Sequence, residues 1–270
     1  MKIIELKCSG CGAQVTPDFE SGTGICEYCG LQIIFENKAV LKQILAGVGP
    51  RSSDDDKREL PKAPEPKYFP WCDSGLRDHV MDWKDGALEA AMREVTGIKD
   101  RDIMLSDVYK LTSLQLNKKG IEKVDALNEL VNLQRLVLEN NSIASIAGLT
   151  KLKNLTFLNL YKNNVADIGG IAYMPLLNNI CLAYNMVTDL TPLAGLKYIE
   201  TLYVFMNRVK NVSPLKNLIS LKDLRIDFNP IRDIGPLSGL KYLESLNIQQ
   251  TDIEDLSPLL KLENLKNLHQ

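Results

Sequence analysis

The sequence has few of the residues on which catalysis and nucleic-acid binding usually depend. Its 270 residues include only two histidines, and they contain no glycine-rich phosphate loop, G-x-S-x-G elbow or H-E-x-x-H motif. The formal net charge is −2, so the chain lacks the basic excess expected of a protein that binds a phosphate backbone. These absences indicate a protein that is not an enzyme, and they disfavour nucleic acid as its main partner.

The sequence also lacks long apolar runs. No stretch reaches the 18 or more apolar residues of a membrane span, and the first residues do not form the apolar run of a signal peptide. Four of the six cysteines form two C-x-x-C pairs, while Cys72 and Cys181 lie far apart in unlike contexts. We therefore expect a cytoplasmic protein without membrane contact.

What the sequence does contain is a 22-residue period that begins at Leu111 and continues to the end of the chain. Each period follows the template L-x-x-L-x-L-x-x-N-x-(I/V)-x-x-(I/L/V)-x-x-L-x-x-L. Residues 111–270 are thus predicted to form a leucine-rich-repeat solenoid of about seven coils and a partial last one. This α/β fold has a parallel sheet on its concave side and short 3₁₀ turns on its convex side. An asparagine column supplies amides where each strand ends: Asn141, Asn163, Asn185, Asn207 and Asn229.

Residues 76–110 precede the repeats and are predicted to form a helical cap over the first coil. Leu88, Met92 and Val95 have helical spacing, Asp85 suits the N-cap position, and Gly97 suits the end of the helix.

The cap sequence resembles that of bacterial internalin-like leucine-rich-repeat proteins, in which an aromatic residue, an acid and a Leu-Glu-x-x-x-Arg helix precede the first repeat. The corresponding residues here are Trp83, Asp85, Leu88, Glu89 and Arg93. The resemblance covers the chain from Trp83 to its carboxyl terminus. It implies an arc-shaped solenoid whose surface holds another protein.

Residues 1–36 carry two cysteine knuckles, Cys8 with Cys11 and Cys26 with Cys29. Four thiolates at this spacing suit one structural Zn²⁺ per chain in a small all-β zinc ribbon. The segment resembles the zinc ribbons at the amino termini of many bacterial proteins. A redox dithiol or a pair of disulfides is the alternative.

A zinc ribbon could instead indicate a regulator that associates with nucleic acid. Residues 1–36 contain two lysines and five carboxylates, a balance that repels phosphates.

Residues 37–75 are predicted to form a short helix, residues 39–45, and then a linker rich in proline and charge that is extended and mobile.

Outward-facing positions of the repeat strands carry several aromatic and charged residues. We call this set the aromatic patch and predict that it binds a protein or peptide. The alternative is that the aromatic rings only fill space between neighbouring coils. The patch comprises Phe157, Tyr161, Tyr184, Tyr203, Phe205, Arg225, Asp227 and Phe228.

The last strand leaves a sheet edge that either pairs with a second chain or is protected by polar residues such as Lys266, which favours a monomer.

The zinc prediction can be tested by metal analysis of the purified protein. We expect about one zinc per chain, and we expect residues 1–36 to unfold when the metal is removed because so short a segment buries little core. A metal-free protein whose amino-terminal segment remains folded would contradict the prediction.

Overall fold

The computed structural model describes four short strands within residues 5–34, together with residues 60–71 and 77–270. In these parts of the chain, eight parallel strands from successive coils lie side by side in chain order. This sheet confirms the predicted leucine-rich-repeat solenoid. The strands are β1 (Glu5–Leu6), β2 (Val15–Asp18), β3 (Thr23–Cys26), β4 (Gln32–Ile34), β5 (Ser113–Gln115), β6 (Arg135–Val137), β7 (Phe157–Asn159), β8 (Asn179–Cys181), β9 (Thr201–Tyr203), β10 (Asp223–Arg225), β11 (Ser245–Asn247) and β12 (Asn267–His269).

The core is a stack of leucine and isoleucine layers, one layer per coil. Leu136, Leu158 and Ile180 are paired across neighbouring strands and are almost completely buried. Each side chain points inward because it occupies the middle position of a three-residue strand whose flanking residues face outward. Burial of one such side chain contributes about 1.5–3 kcal/mol, so the repeated layers stabilise a fold that has no single globular centre.

Short 3₁₀ helices carry the chain from the end of one coil to the next strand. In four of those described, a proline lies in the first turn, where its fixed φ suits the helix and its missing N–H removes no hydrogen bond. The 3₁₀ helices are Asp125–Glu129, Gly169–Tyr173, Thr191–Leu193, Ser213–Asn217, Gly235–Gly239 and Ser257–Lys261.

The asparagine column joins each coil to the one before it, as predicted. The Asn163 side-chain oxygen accepts a hydrogen bond from the amide of Ile143 at 3.1 Å. Its Nδ2 donates to the carbonyls of Leu138 and Leu160 at 2.9 and 3.1 Å. One buried amide therefore satisfies three backbone groups at the place where the strand ladder ends.

The cap contains helices α1 (Gly86–Thr96) and α2 (Leu105–Val108). Asp85 caps α1 and Gly97 ends it in the left-handed conformation, with φ of 74°, as predicted. The prediction for Val95 was wrong, because this side chain lies in the last turn of α1 and is 44% exposed, whereas Ala91 is buried. In the parts of the chain that the structure describes, no helix is both long and apolar enough to cross a membrane.

Asp85 also connects the cap to the first coil. One carboxylate oxygen accepts from the amide of Leu88 at 2.8 Å, and the other accepts from the amides of Glu122 and Lys123, both at 2.8 Å. Burial acts to raise the pKa of Asp85, but the backbone donors outweigh it, so the pKa is lowered.

The first strand of the chain lies at the far end of the solenoid. β1 pairs in parallel with β12, with Glu5 opposite Asn267, so the sheet edge that the sequence analysis expected to be open is covered by the same chain. β2, β3 and β4 form a separate antiparallel sheet. Cys8, Cys11 and Cys29 and the predicted helix at residues 39–45 lie outside the described residues, and only the backbone of Cys26 is described.

Residues 64–71, which we call the strap, lie against the first coils. The strap belongs to the segment that the sequence analysis expected to be mobile, and this expectation was wrong for these residues. The backbone of Lys67 is hydrogen bonded to Asn154, and that of Phe69 is hydrogen bonded to Asn132. Proline and charge gave the segment the composition of a linker, but its partners lie 63 and 87 residues further along the chain.

The role of Asp85 can be tested by Asp85→Ala, with Asp82→Ala as a matched control because the Asp82 side chain is 74% exposed. We expect Asp85→Ala to lower the free energy of unfolding by about 1–3 kcal/mol, measured by urea denaturation at pH 7. Because the folded-state pKa of Asp85 is lowered, this contribution is fully present above the unfolded value of about 3.9 and is lost as the pH falls through the folded value. Equal effects of the two substitutions would contradict the proposed link.

Candidate functional site

The aromatic patch lies on the outer face of the concave sheet, where the repeat places residues in rows. Tyr203 is aligned with Cys181 on one side and with Arg225 on the other. Asp223 and Phe157 occupy another row of the same sheet, two strand positions away from these residues. The rows arise because each coil has the same length, so equivalent residues are brought side by side.

Three aromatic rings of the patch form a continuous chain across adjacent coils. The ring centroids of Tyr161 and Tyr184 are 5.3 Å apart, and those of Tyr184 and Phe205 are 5.6 Å apart. Both contacts are edge-to-face, an arrangement favoured by the charge distribution of aromatic rings. Tyr184 remains 41% exposed at the centre of this chain, so a partner can contact it directly.

Arg225 places a positive charge beside these rings. Its guanidinium carbon lies 4.2 Å from the ring centroid of Phe205 and 5.8 Å from that of Tyr203. An Arg225 nitrogen also lies 3.2 Å from a carboxylate oxygen of Asp227. The guanidinium is thus held between an aromatic face and a carboxylate, which fixes its position on the surface.

Asp227 has a different environment from the one that the sequence indicated. The sequence places it at an outward position, but its side chain is only 1% exposed. Burial raises its pKa, although the nearby Arg225 acts to lower it. Asp227 therefore holds Arg225 in place and offers little surface to a partner.

Asp223 is the carboxylate that contacts an aromatic residue of the patch. The Tyr203 hydroxyl donates a hydrogen bond to it at 2.5 Å. Burial and this hydrogen bond raise the pKa of Tyr203 to about 12. Asp223 is not among the residues predicted to form the patch, because the repeat gives its outward facing and its register but not the hydrogen bond that its side chain makes.

Two aromatic residues of the patch lie apart from the ring chain. Phe157 is covered by Arg135, whose guanidinium carbon lies 3.6 Å from the ring centroid. Phe228 is 42% exposed, and within the described part of the chain it makes no contact with another aromatic ring. The structure therefore gathers Tyr161, Tyr184 and Phe205 with Tyr203 and Arg225, and it leaves Phe157 and Phe228 at the margins of the patch.

Tyr184 and Phe228 share an unusual backbone conformation. The residue that precedes the asparagine-column position, which holds Lys119 in the first coil and Thr251 in the seventh, is left-handed in every coil from the first to the seventh, with φ between 52° and 57°. Bulky residues adopt this conformation at a cost of about 1–2 kcal/mol, whereas Asn and Gly tolerate it. Lys118, Lys162, Met206 and Gln250 have the same conformation, so the repeat imposes it on whichever side chain occupies this position, Tyr184 and Phe228 included.

Cys181 lies within the same rows and is a free thiol. Burial raises its pKa, so the thiol form is favoured over the reactive thiolate. The thiol adds apolar surface between Asn159 and Tyr203, its register neighbours.

Comparison with known proteins supports the fold. A family model described as leucine-rich repeats in two copies matches residues 131–173. The comparison with curated proteins gives no match.

Solved structures give a wider similarity. An internalin, InlF, from Listeria monocytogenes is 26% identical, with a TM-score of 0.66 over 70% of this chain and 57% of that protein. This chain therefore spans less than two thirds of that internalin. Internalin C2 from the same organism is 26% identical, with a TM-score of 0.55 over 79% of this chain and 100% of that chain.

A plant peptide hormone receptor, RGFR1, in complex with RGF2 is also similar in structure. It is 19% identical, with a TM-score of 0.52 over 61% of this chain and 29% of the receptor. This likeness supports the fold alone. The chain is thus a leucine-rich-repeat protein in architecture, a fold typical of modules that bind other proteins.

The environment of Tyr203 leads to a spectroscopic prediction. Because burial and the Asp223 hydrogen bond raise its pKa to about 12, Tyr203 stays protonated at pH 11, where an ordinary tyrosine is mostly ionised. We expect the Asp223→Asn variant to lower this pKa without restoring the ordinary value, since burial remains. NMR titration of ¹³C-labelled tyrosine, with Tyr203→Phe to assign the signal, measures both values. A Tyr203 signal that titrates near pH 10 in the unmodified protein would contradict the described hydrogen bond.

Proposed function

We propose that this chain is a non-enzymatic interaction module that binds a protein or peptide partner through the aromatic patch. The observation that carries the proposal is the continuous chain of Tyr161, Tyr184 and Phe205 beside the fixed guanidinium of Arg225. Aromatic residues and arginine are the side chains that most often dominate binding energy at protein interfaces.

The size of the patch favours a peptide, a loop or a single helix as its ligand. Neighbouring strands are about 4.8 Å apart, so the four coils that carry the patch span roughly 15–20 Å. A standard interface needs about 800 Å² from each partner, which exceeds this area unless other coils contribute. A folded domain would also contact Arg135 and Glu139, which lie on the preceding coil, or Asn247 on a later one.

The charge of the patch favours a ligand with an acidic or carbonyl-rich group close to an apolar one. The side chain of Arg225 is 38% exposed although Asp227 is fully covered, so the cation of this pair is the member that reaches solvent. Arg135, beside Phe157, adds a second exposed guanidinium.

The amino-terminal segment is proposed to hold one structural Zn²⁺ through Cys8, Cys11, Cys26 and Cys29. The antiparallel pairing of β2 and β3 puts the backbone of Cys26 opposite Val15, which follows Cys11 by only four residues in sequence. In sequence, the first cysteine pair therefore precedes, and the second pair begins at, the same end of the β2–β3 hairpin, as a shared metal requires. When bound, the metal would supply folding energy to this segment and no reaction chemistry. Thiolate ligands also suit the proposed cytoplasmic location.

The proposal predicts the effect of removing the central aromatic side chains. We expect Tyr203→Ala and Phe205→Ala each to weaken the partner about 30-fold or more, which corresponds to about 2 kcal/mol of binding. The matched control is Tyr173→Ala, since Tyr173 is 55% exposed and lies on a 3₁₀ helix outside the patch. Affinity capture from lysate of the source cells, with and without nuclease, identifies the partner, and titration of that partner against each variant gives the affinities.

Three results would contradict this function. Capture that survives both patch substitutions would place the contact elsewhere on the chain. Equal loss in Tyr173→Ala would indicate a general effect on folding, which urea denaturation of each variant detects. Capture that disappears with nuclease would favour the nucleic-acid alternative.

A further inference from the structure

The strap is held by a pair of reciprocal hydrogen bonds at each of two coils. The amide of Lys67 donates to the Asn154 oxygen at 3.0 Å, and Asn154 Nδ2 donates back to the Lys67 carbonyl at 2.8 Å. The amide of Phe69 donates to the Asn132 oxygen at 2.7 Å, and Asn132 Nδ2 donates to the Phe69 carbonyl at 3.0 Å. Each asparagine thus pairs with both polar groups of one backbone unit, as a neighbouring β-strand would.

Both asparagines are oriented by the repeat itself. Asn132 Nδ2 also donates to the carbonyl of Tyr109, and Asn154 Nδ2 donates to that of Val131, each at 3.1 Å. The two side chains are only 1% and 5% exposed. Because one hydrogen of each amide is fixed by the preceding coil, the other hydrogen and the oxygen are directed at the strap. The binding groups are therefore in place before the strap arrives.

The spacing of the contacts matches an extended peptide that crosses the coils. Residues 67 and 69 bind to asparagines that are one repeat apart, so two residues of the strap correspond to one coil. Pro66 and Pro70 lie at the intervening even-numbered positions, and within the described residues the Tyr68 amide has no hydrogen-bond partner. Proline lacks an amide hydrogen and favours an extended chain, so it suits positions that donate no hydrogen bond.

The strap also makes an apolar contact at its end. The rings of Trp71 and Tyr109 are 5.1 Å apart and edge-to-face. At the other end, the groove continues beside Lys153, Pro175 and Leu176. Side chains at the asparagine contacts are not enclosed, since Lys67 is exposed and Phe69 is 47% exposed. Recognition therefore depends on the main chain of the peptide and on its extended shape.

We propose that Asn132 and Asn154 form a second peptide-binding site, distinct from the aromatic patch, which recognises an extended, proline-spaced segment by its main chain. The segment that occupies this site is the strap of the same chain. A segment that is tethered in this way has an effective concentration in the millimolar range, so it excludes free peptides until it is released. The strap thereby acts as an internal competitor.

Another asparagine at the same position of the repeat as Asn132 and Asn154 provides a control. Asn264 lies at the equivalent position of the last coil, and its Nδ2 donates to the carbonyl of Lys241 at 2.7 Å. Like Asn132 and Asn154, it donates a hydrogen bond to the preceding coil. Unlike them, it lies several coils away from the strap. Substitution of Asn264 therefore reports the effect of losing the bond between coils alone.

The test uses the full chain with Lys67→Pro and Phe69→Pro, which removes the two amide donors and releases the strap. A fluorescein-labelled peptide with the sequence of residues 60–71 is titrated by fluorescence anisotropy. We expect the peptide to bind at least tenfold more tightly to the released chain than to the unmodified chain, in which the strap competes with it. Asn132→Ala with Asn154→Ala in the released chain should weaken the peptide tenfold or more, whereas Asn264→Ala should change its affinity less than twofold.

A peptide methylated on the amide nitrogens of its Lys67 and Phe69 equivalents is the matched ligand control and should not bind. Equal binding of the methylated peptide, equal binding by the released and unmodified chains, or no binding to the released chain would overturn the proposal. Tyr203→Ala should leave the peptide affinity unchanged, so this result is separable from the function of the aromatic patch.

Hydrogen exchange in the unmodified chain gives a second measurement that does not depend on variants. The amides of Lys67 and Phe69 should exchange at least tenfold more slowly than that of Tyr68, because only the first two are bound. Exchange of all three at one rate would also overturn the proposal.

Discussion

The hydrogen bonds of the asparagine column are the interaction on which the rest of the structure depends. At the end of each strand, the backbone leaves the sheet and loses its ladder partners, and a single amide such as that of Asn207 or Asn229 replaces them. Since each amide bonds to its own coil and to the preceding one, it fixes both the turn and the distance between coils. In the last full coil, Thr251 takes this place and its hydroxyl donates to the Ile248 carbonyl at 2.7 Å. The regular rows of the concave face follow from this fixed distance.

Those rows bring residues from different coils together on one exposed surface. Residues that are 22 positions apart become neighbours, so Arg225 can lie over Phe205 although 20 residues separate them. The aromatic patch is therefore assembled from outward positions, while the inward positions hold leucine, isoleucine or valine in every coil. Outward and core residues alternate along the same strands, so either set can change with little effect on the other.

Much of this arrangement could be predicted from the sequence, because the period gives both the register and the facing of each residue. The cap helix with Asp85 and Gly97 followed from local capping preferences in the same way. Burial of Asp227 could not be predicted, since it depends on the side chains of adjacent coils rather than on facing. The contacts of Phe69 with Asn132 and of β1 with β12 also lay beyond prediction, because they join segments with no shared period. The recurrence of Asn132 and Asn154 at one position of the repeat was the available signal.

The strap limits how this repeat array can change in length. A duplicated unit of 22 residues inserted after Leu177 would leave the spacing of Asn132 and Asn154 unaltered, and the new coil would continue the column. The same duplication inserted between Asn132 and Asn154 would separate them by two units, so the strap would need two more residues to reach both. Coils beside the strap therefore cannot be added without a longer strap, whereas later coils can be added if the chain between β1, which pairs with β12, and the strap spans the greater distance. Differences in repeat number between descendants of this chain should accordingly accumulate toward the carboxyl-terminal half.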